Sequence, residues 1–393
     1  MAIITDNQRI QDLLNRGCEE IIDRGDLEKK LKSGKKLRIK LGIDPTSPNL
    51  HIGRAIPLLK LRDFQELGHQ IVFIIGDFTG IVGDTSDKDS ERPMLDEKVV
   101  KENMKSYKEQ AGKILDLKKC EICHNSEWLD KLRYREIGKQ ANVFSVNEFI
   151  ARDNIRKRLD AGKRVSLREV FYPLMQGYDS VAIEADVEIG GTDQKFNLLA
   201  GRELQRFSGQ EPQNIITNPL IEGLDGRKMS SSWGNTINLM DSAREMYGKI
   251  MSLKDEFIIR YFVLTTRVDF KLIKQYEAEL ASGVNPRDIK MKLASEMVRF
   301  YHGDKAAQAE VDYFVGTFSK KEMPTEMKSI KPSSYDIITF LLEAKAVSSK
   351  TDARRIIQQK GVKVNQVAIE DVNLELKKGD VVQKGKIFFA RVA

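Results

Sequence analysis

Cysteine is scarce in this chain, with three among 393 residues. An odd count leaves one thiol unpaired, which argues against a disulfide-stapled secreted scaffold. Proline is scarce as well, with 10 residues, and 41% apolar content excludes global disorder. No apolar run approaches the ~20 residues of a membrane-spanning helix; the run Ile71 to Ile75 is far too short. The start, MAIITDNQRIQDLL, lacks the basic stretch followed by a long apolar stretch that marks export, so a cytoplasmic location and no membrane partner are expected. Both the phosphate loop GxxxxGK[ST] and the dinucleotide fingerprint GxGxxG are missing. One pattern runs against this frame: Cys120, Cys123 and His124 form CxxCH, the spacing of attached haem. Without an export signal or a second metal pair, it reads as a strand with two thiols, and no metal ligand is expected.

What is present begins with charge: 65 Lys plus Arg against 58 Asp plus Glu leave a net +7, a mildly basic soluble surface. The length suggests two or three domains. Lys36 to Ile43, KLRIKLGI, alternates basic and aliphatic residues as a half-buried strand does. The cluster Asp44-Pro45-Thr46 turns the chain. Gly53 to Leu67 then carries apolar residues at helical spacing, with Pro57 expected in the first turn and Gly68 placed to stop the helix. Ile71 to Ile75 reads as a buried parallel strand. Strand, helix and strand make a βαβ unit.

Asp96 to Leu115 has helical spacing, and VAIEADVEIGG from Val181 reads as another strand ending in glycines. The expected fold class is therefore α/β: a doubly wound, mostly parallel nucleotide-binding sheet up to about residue 225. A helical region from Asp241 to about Met323 follows. Lys321 to Ser334, with two prolines and three lysines, reads as a linker, and Tyr335 to Ala393 as a small α+β unit.

In open parallel sheets the ligand lies beyond the carboxyl ends of the strands. Asp44, Thr46, His51 and Gly53 follow the first strand, with His51 at a helix amino terminus, either a turn-capping histidine or a donor to a phosphoryl oxygen. GDFTGIVGDTSDK, Gly76 to Lys88, follows the second; Asp84 there suits an ammonium or ribose hydroxyl and Lys88 a phosphate, unless the loop is only a turn. Tyr172, Gln176 and Asp179, spaced by four and three, share one face of a helix, as a lined pocket or a solvated face. Gly190-Gly191-Thr192-Asp193-Gln194 closes another strand. Gly226 to Ser232, GRKMSSS, is either a flexible surface loop or a mobile lid that carries an ammonium and hydroxyls onto phosphates.

Together these pieces resemble a known family. His51-Ile52-Gly53 and Lys228-Met229-Ser230-Ser231-Ser232 resemble, in order, the HIGH and KMSKS signatures of class I aminoacyl-tRNA synthetases. GIDPTSPNLHIG, EIGGTDQ and the Tyr172, Gln176, Asp179 face look like the tyrosine-specific, bacterial-type branch. Ala353 to Ile357, Gly361-Val362, Val364-Asn365 and Gly379-Asp380 resemble the S4-like RNA-binding domain such enzymes append. The resemblance implies a Rossmann-like catalytic domain at 1–225 with an insertion, the KMSKS loop and a helical anticodon-side domain at 226–330, and the RNA-binding domain at 333–393.

It also implies an activity: ATP and L-tyrosine give tyrosyl-adenylate and diphosphate, with Mg2+ accompanying ATP and no dedicated metal site. The tyrosyl group then passes to the 3' end of the tRNA for tyrosine. His51, Arg54, Lys88, Lys228, Ser230 and Ser231 are implied at the phosphates as catalytic groups. Lys40, Gly42, Asp44, Asp84, Tyr172, Gln176 and Asp179 are implied around tyrosine, with Asp179 on the phenol hydroxyl. Asp44, Thr46, His51, Gly53, Gly191, Asp193, Gln194 and Lys228 are implied around ATP. The chain departs from the family in two places: Arg54 replaces the second histidine of HIGH, and Lys40 stands where many relatives carry a phenol-touching tyrosine. A homodimer is implied as well. The tryptophan-specific branch is the near alternative, disfavoured by the tyrosine-type pocket; a non-catalytic RNA-binding relative is the distant one, disfavoured by intact His51 and Lys228.

The basic excess is uneven. Residues 333–393 hold 11 Lys plus Arg and 7 Asp plus Glu, so a small part of the chain supplies more than half of the net charge. Such a surface suits the phosphates of a structured RNA, with Arg354, Arg355 and Lys360 as the expected contacts. A second cluster, Arg152, Arg156, Lys157, Arg158, Lys163, Arg164 and Arg168, precedes the Tyr172 helix, where the resemblance places the dimer contact and the tRNA acceptor end.

Overall fold

The computed structural model describes residues 2–85, 93–319, 327–347, 349–385 and 388–393. They form two compact units, 1–307 and 308–393. Lys88 lies outside the described residues.

In the first unit six strands form one sheet: β1 (Glu20–Ile22), β2 (Arg38–Ile43), β3 (Gln70–Ile75), β4 (Cys120–His124), β5 (Val187–Gly191) and β6 (Asn214–Asn218), in the order β1-β6-β5-β2-β3-β4. All pairings are parallel except the edge pair of β1 with β6. Parallel strands are covered on both faces, which explains the apolar run of β3: Ile71 to Ile75 are at most 1% exposed. Each such side chain contributes roughly 1.5–3 kcal/mol by burial. Chain order reverses between β2 and β5, and this switch point opens a crevice at their carboxyl ends.

The same covering corrects the reading of β2 as half-buried, because Lys40 is as inaccessible as its aliphatic neighbours, at 0% exposure. The helix after β2 runs Ile52–Glu66, capped by His51. Pro57 is thus its sixth residue, in the second turn and not the first, and removes the donor to the Gly53 carbonyl. Asp96 to Leu115 divides into two helices, Glu97–Met104 and Tyr107–Gly112.

A longer helix, Leu167–Ala182, carries Tyr172, Gln176 and Asp179 and is called the pocket helix below. It begins with a capping box between Ser166 and Glu169 and continues through Val181-Ala182, so the following strand starts at Val187 and not at Val181. Gly177 packs against the helix Lys195–Phe207 at Gly201, where a methyl group would stand 3.0 Å from the Gly201 nitrogen. The insertion cluster is partly internal: Arg158 is 2% exposed and its Nη2 donates to Glu169 Oε1 at 3.0 Å, bracing the pocket helix.

CxxCH forms β4 as an ordinary strand. Burial pushes the Cys120 and Cys123 thiols up to about 11, and no group of three or more metal-ligating side chains occurs among the described residues. Helices Ala243–Met251, Ile258–Thr265, Phe270–Ala281 and Pro286–His302 make up the helical region. No helix among the described residues is long and apolar enough to cross a membrane.

The second unit is a five-stranded sheet of β7 (Lys328–Ile330), β8 (Val362–Val364), β9 (Val367–Ala368), β10 (Val381–Lys384) and β11 (Phe388–Val392), ordered β7-β11-β10-β8-β9. Helices Ile337–Glu343 and Lys350–Gln358 close its core through Ile337, Phe340, Leu341, Ala353 and Ile357. The expected linker over Lys321 to Ser334 is corrected in part. Lys328–Ile330 is a strand, parallel to β11, because partnering by a distant edge overrides the polar local composition.

Candidate active site

The crevice at the switch point is a cavity of about 260 Å3. Residues from four strand ends line it: Gly42, Asp44, Thr46, His51, Gly53 and Arg54 at and after the end of β2, Gly76, Thr79 and Asp84 after β3, Asn125 after β4, and Gly190, Gly191, Asp193 and Gln194 at and after β5. Tyr172, Gln176 and Asp179 enter from the pocket helix, and Lys228 to Ser232 from the loop. Among the described residues of the first unit, the structure therefore brings the expected site residues together, except Lys40.

At one end Asp179, 3% exposed, accepts from Trp128 Nε1 at 2.7 Å and from Asn125 Nδ2 at 3.3 Å. Burial raises its carboxyl to about 7, against the pull of Lys40 and these two donors. Asp44 is bonded by the Tyr172 hydroxyl at 2.8 Å and the Thr79 hydroxyl at 2.7 Å, and burial raises it to about 6. Gly76 is required for this arrangement, since a methyl group there would lie 2.1 Å from Asp44 Oδ1. Gln176 receives Asn197 Nδ2 at 3.0 Å and donates to Glu188 at 3.2 Å. This end thus presents carboxylates and oriented polar groups inside an apolar wall, suited to a phenol hydroxyl and an ammonium.

The other end is neutral or cationic apart from Asp193, which pairs with Lys228. His51 is 7% exposed and its Nδ1 has no hydrogen-bond partner among the described residues. Burial, with Arg54 and Lys228 nearby, lowers the imidazole to about 3, so it is neutral at ordinary pH and carries one N–H. Arg54 is braced by the Thr46 hydroxyl at 2.9 Å and the Tyr107 hydroxyl at 3.2 Å, which keeps its guanidinium on the cavity wall. The loop holds Lys228 Nζ 3.0 Å from Asp193 Oδ2. Its backbone is anchored where Ser230 N–H donates to Asn235 Oδ1 at 2.8 Å and Asn235 Nδ2 to Asp225 Oδ1 at 2.7 Å. Such a set favours anionic oxygens.

Lys40 corrects an expectation. Its ammonium does not line the cavity but lies beneath it, 2.8 Å from Glu188 Oε1, because β2 turns this side chain toward β5 and the pocket helix. Trp128, Asn125, Thr79, Tyr107 and Glu188 were missed from sequence. Asn125 directly follows β4 and was accessible to the rule that ligands lie beyond strand ends; Trp128 and Glu188 gave no local signal. In the second unit Arg354, Arg355 and Lys360 are exposed, with Arg355 2.6 Å from Asp352 and Lys360 2.8 Å from Glu370.

Comparison with known proteins bears on this geometry. A family model for tRNA synthetases class I (W and Y) matches residues 32–319, and an S4 domain model matches residues 337–382. The chain is 45% identical over 386 residues to a tyrosine--tRNA ligase of Thermotoga maritima, covering 97% of this chain and 96% of that protein. A tyrosine--tRNA ligase of Shewanella oneidensis is 46% identical over 385 residues, with 96% and 97% covered. Among solved structures, a C-terminally truncated mitochondrial tyrosyl-tRNA synthetase of Aspergillus nidulans shares the fold, with TM-score 0.67 and 24% identity over 79% of this chain and 94% of that one.

Proposed function

The chain belongs to the class I tRNA synthetases of the W and Y type and carries an S4 domain, and from that premise we propose that its cavity is the active site of a tyrosine--tRNA ligase. The observation that carries the reading is one cavity with two unlike ends. Asp179, buried and held by Trp128 and Asn125, faces one end; neutral His51 with Arg54 and Lys228 faces the other.

In the first step a tyrosine carboxylate oxygen attacks the α-phosphorus of ATP, the bond to the bridging oxygen breaks, and diphosphate leaves. No covalent nucleophile of the protein is needed, so catalysis consists of positioning and charge stabilisation. Asp179 accepts the phenol hydroxyl; Tyr172, Gln176 and Asp84 surround the ammonium; Gly42 leaves open space beside them. Asp193 and Gln194 take the ribose, with Thr46, Gly53 and Gly191 admitting the nucleotide closely. His51 donates its N–H to phosphoryl oxygen, while Arg54, Lys228, Ser230 and Ser231 stabilise the departing diphosphate. In the second step a hydroxyl of the terminal adenosine of the tRNA attacks the tyrosyl carbonyl and AMP leaves.

Magnesium, when bound with ATP, supplies charge neutralisation at the phosphates. The neutral and cationic donors at that end suit phosphate oxygens and not a bare cation, so the phosphates themselves hold it. Arg354, Arg355 and Lys360 contact tRNA phosphates from the second unit. The enzyme works as a homodimer in the cytoplasm; support for self-association comes from apolar side chains left exposed, Tyr134 at 94% on the helix Tyr134–Ala141, Val146 at 70% on the helix Val146–Ile150 and Leu167 at 68% at the start of the pocket helix.

Pyrophosphate exchange measured in parallel with tyrosine, tryptophan and phenylalanine tests the reading. Exchange with tyrosine alone is expected. Exchange with tryptophan alone would move the chain to the other branch, and exchange with none would leave only an RNA-binding role.

A further inference from the structure

Lys40 and Glu188 are direct cross-strand partners in the parallel pairing of β2 with β5, at the switch point below the cavity. They are 0% and 1% exposed, with Nζ 2.8 Å from Oε1. The ammonium has two further acceptors, the Gln176 main-chain carbonyl at 2.8 Å and the Ser180 hydroxyl at 2.7 Å, so all three of its protons are used. Glu188 accepts in turn from Gln176 Nε2 at 3.2 Å, from the Ser180 hydroxyl at 3.0 Å and from Gln213 Nε2.

A buried ion pair is a poor means of stabilising a sheet, because desolvation offsets most of its attraction and a well-packed apolar pair does as well. What an apolar pair lacks is a grip on polar groups. Here the grip falls on Gln176 twice, at its main-chain carbonyl and at its side-chain amide. Lys40 also belongs to the surroundings of Asp179, one turn further along the pocket helix.

We propose that the Lys40–Glu188 ion pair positions the tyrosine subsite, fixing Gln176 at its main-chain carbonyl and its side-chain amide without touching the substrate. The proposal rests on the tyrosine reading and deepens it: the pair acts on the subsite from beneath, through Gln176. The charged groups facing Asp179 are Lys40 from β2, which favours its ionised form, and Glu188 from β5, which opposes it. Trp128 and Asn125 donate to it, and the Tyr172 phenol shares its helix.

The test compares wild type with Lys40→Met, Glu188→Gln and the double variant in tyrosine-dependent pyrophosphate exchange across neutral pH, with folding checked by circular dichroism. Lys40→Met is expected to raise the tyrosine KM about tenfold or more with the ATP KM unchanged. It should also move the acid limb of tyrosine kcat/KM upward by about one pH unit, the shift of a carboxylate losing a nearby opposite charge. Glu188→Gln should move that limb downward, and the double variant should fall between the two single ones. A folded Lys40→Met enzyme with wild-type tyrosine KM and acid limb overturns the proposal, as does a KM rise with no movement of the limb in any variant, which a merely structural pair would give. Should Lys40→Met not fold, the double variant, which leaves no charge unpaired, is read with Glu188→Gln against wild type: a raised tyrosine KM in the double variant together with a lowered acid limb in Glu188→Gln supports the proposal, and an unchanged KM or an unmoved limb overturns it. Wild-type enzyme that does not exchange with tyrosine would instead defeat the reading beneath it.

Discussion

Lys228 and Asp193 meet across the cavity mouth, Nζ 3.0 Å from Oδ2. The loop cation thus rests on a carboxylate proposed to receive the ribose of ATP, and nucleotide entry has to separate them. Lys228→Ala is expected to slow adenylate formation by roughly 10²–10³, the usual loss of one group stabilising developing charge, with tyrosine affinity nearly unchanged. Stopped-flow measurement of the first turnover checks this; a slowing below about threefold would remove Lys228 from the diphosphate.

Trp128 holds Asp179 through a single indole N–H. Trp128→Phe keeps an aromatic body and deletes the donor, so the Asp179 carboxyl should rise above its present value of about 7 and be less ionised at neutral pH. A hydrogen bond to a charged group contributes ~1.5–3 kcal/mol. Tyrosine kcat/KM should therefore fall by an order of magnitude or more, with its acid limb shifted upward and the ATP KM retained. A pH profile identical to wild type would contradict the assignment.

Asp179→Asn should abolish tyrosine-dependent exchange while ATP still binds. The same substitution has a signature in stability. Because the folded carboxyl lies at about 7, above the ordinary value of 3.8, its contribution to stability is full below about pH 4 and is lost as pH rises through 7. The variant should gain on wild type in thermal midpoint over that interval and hold the difference above it, as calorimetry at several pH values can measure. A constant difference at every pH would be incompatible with this carboxyl carrying the charge.

His51 is neutral because burial and two neighbouring cations lower it to about 3. His51→Ala should lower the rate of adenylate formation by roughly 10²–10³ and leave the acid limb of the tyrosine profile in place, since that limb belongs to the carboxyls. Loss of the limb with His51 would show that the imidazole itself titrates there.

Arg354 and Arg355 lie on the exposed side of the helix Lys350–Gln358. Replacing both with glutamine should weaken tRNA charging and flatten its salt dependence by the counterions no longer released. Pyrophosphate exchange should stay at the wild-type rate. Unchanged charging at several salt concentrations would move the RNA surface elsewhere.

Much of the site was legible because its parts are local. Tyr172, Gln176 and Asp179 share a face through the 3.6-residue period alone, and the groups after β2 and β5 follow from the strand-end rule. Asn125 obeys the same rule, directly after β4 and next to the CxxCH spacing. Pro57 falls in the second turn because the helix starts at Ile52, one residue before the expected start, and spacing fixes such a boundary only loosely.

By itself the sequence determined the element order of the βαβ core, the two signature segments and the polar face of the pocket helix, all of which depend on short-range periodicity and turn chemistry. Only the tertiary structure decided the fate of Lys40. Alternation along β2 suggested only a half-buried strand and the resemblance a place beside tyrosine, but its partner Glu188 is remote in sequence and adjacent only once β2 and β5 pair. The same holds for Trp128 on Asp179 and for β7 on β11. A buried charge or donor is tolerable only with its partner in place, and the chain's folding, not its local pattern, supplies that partner.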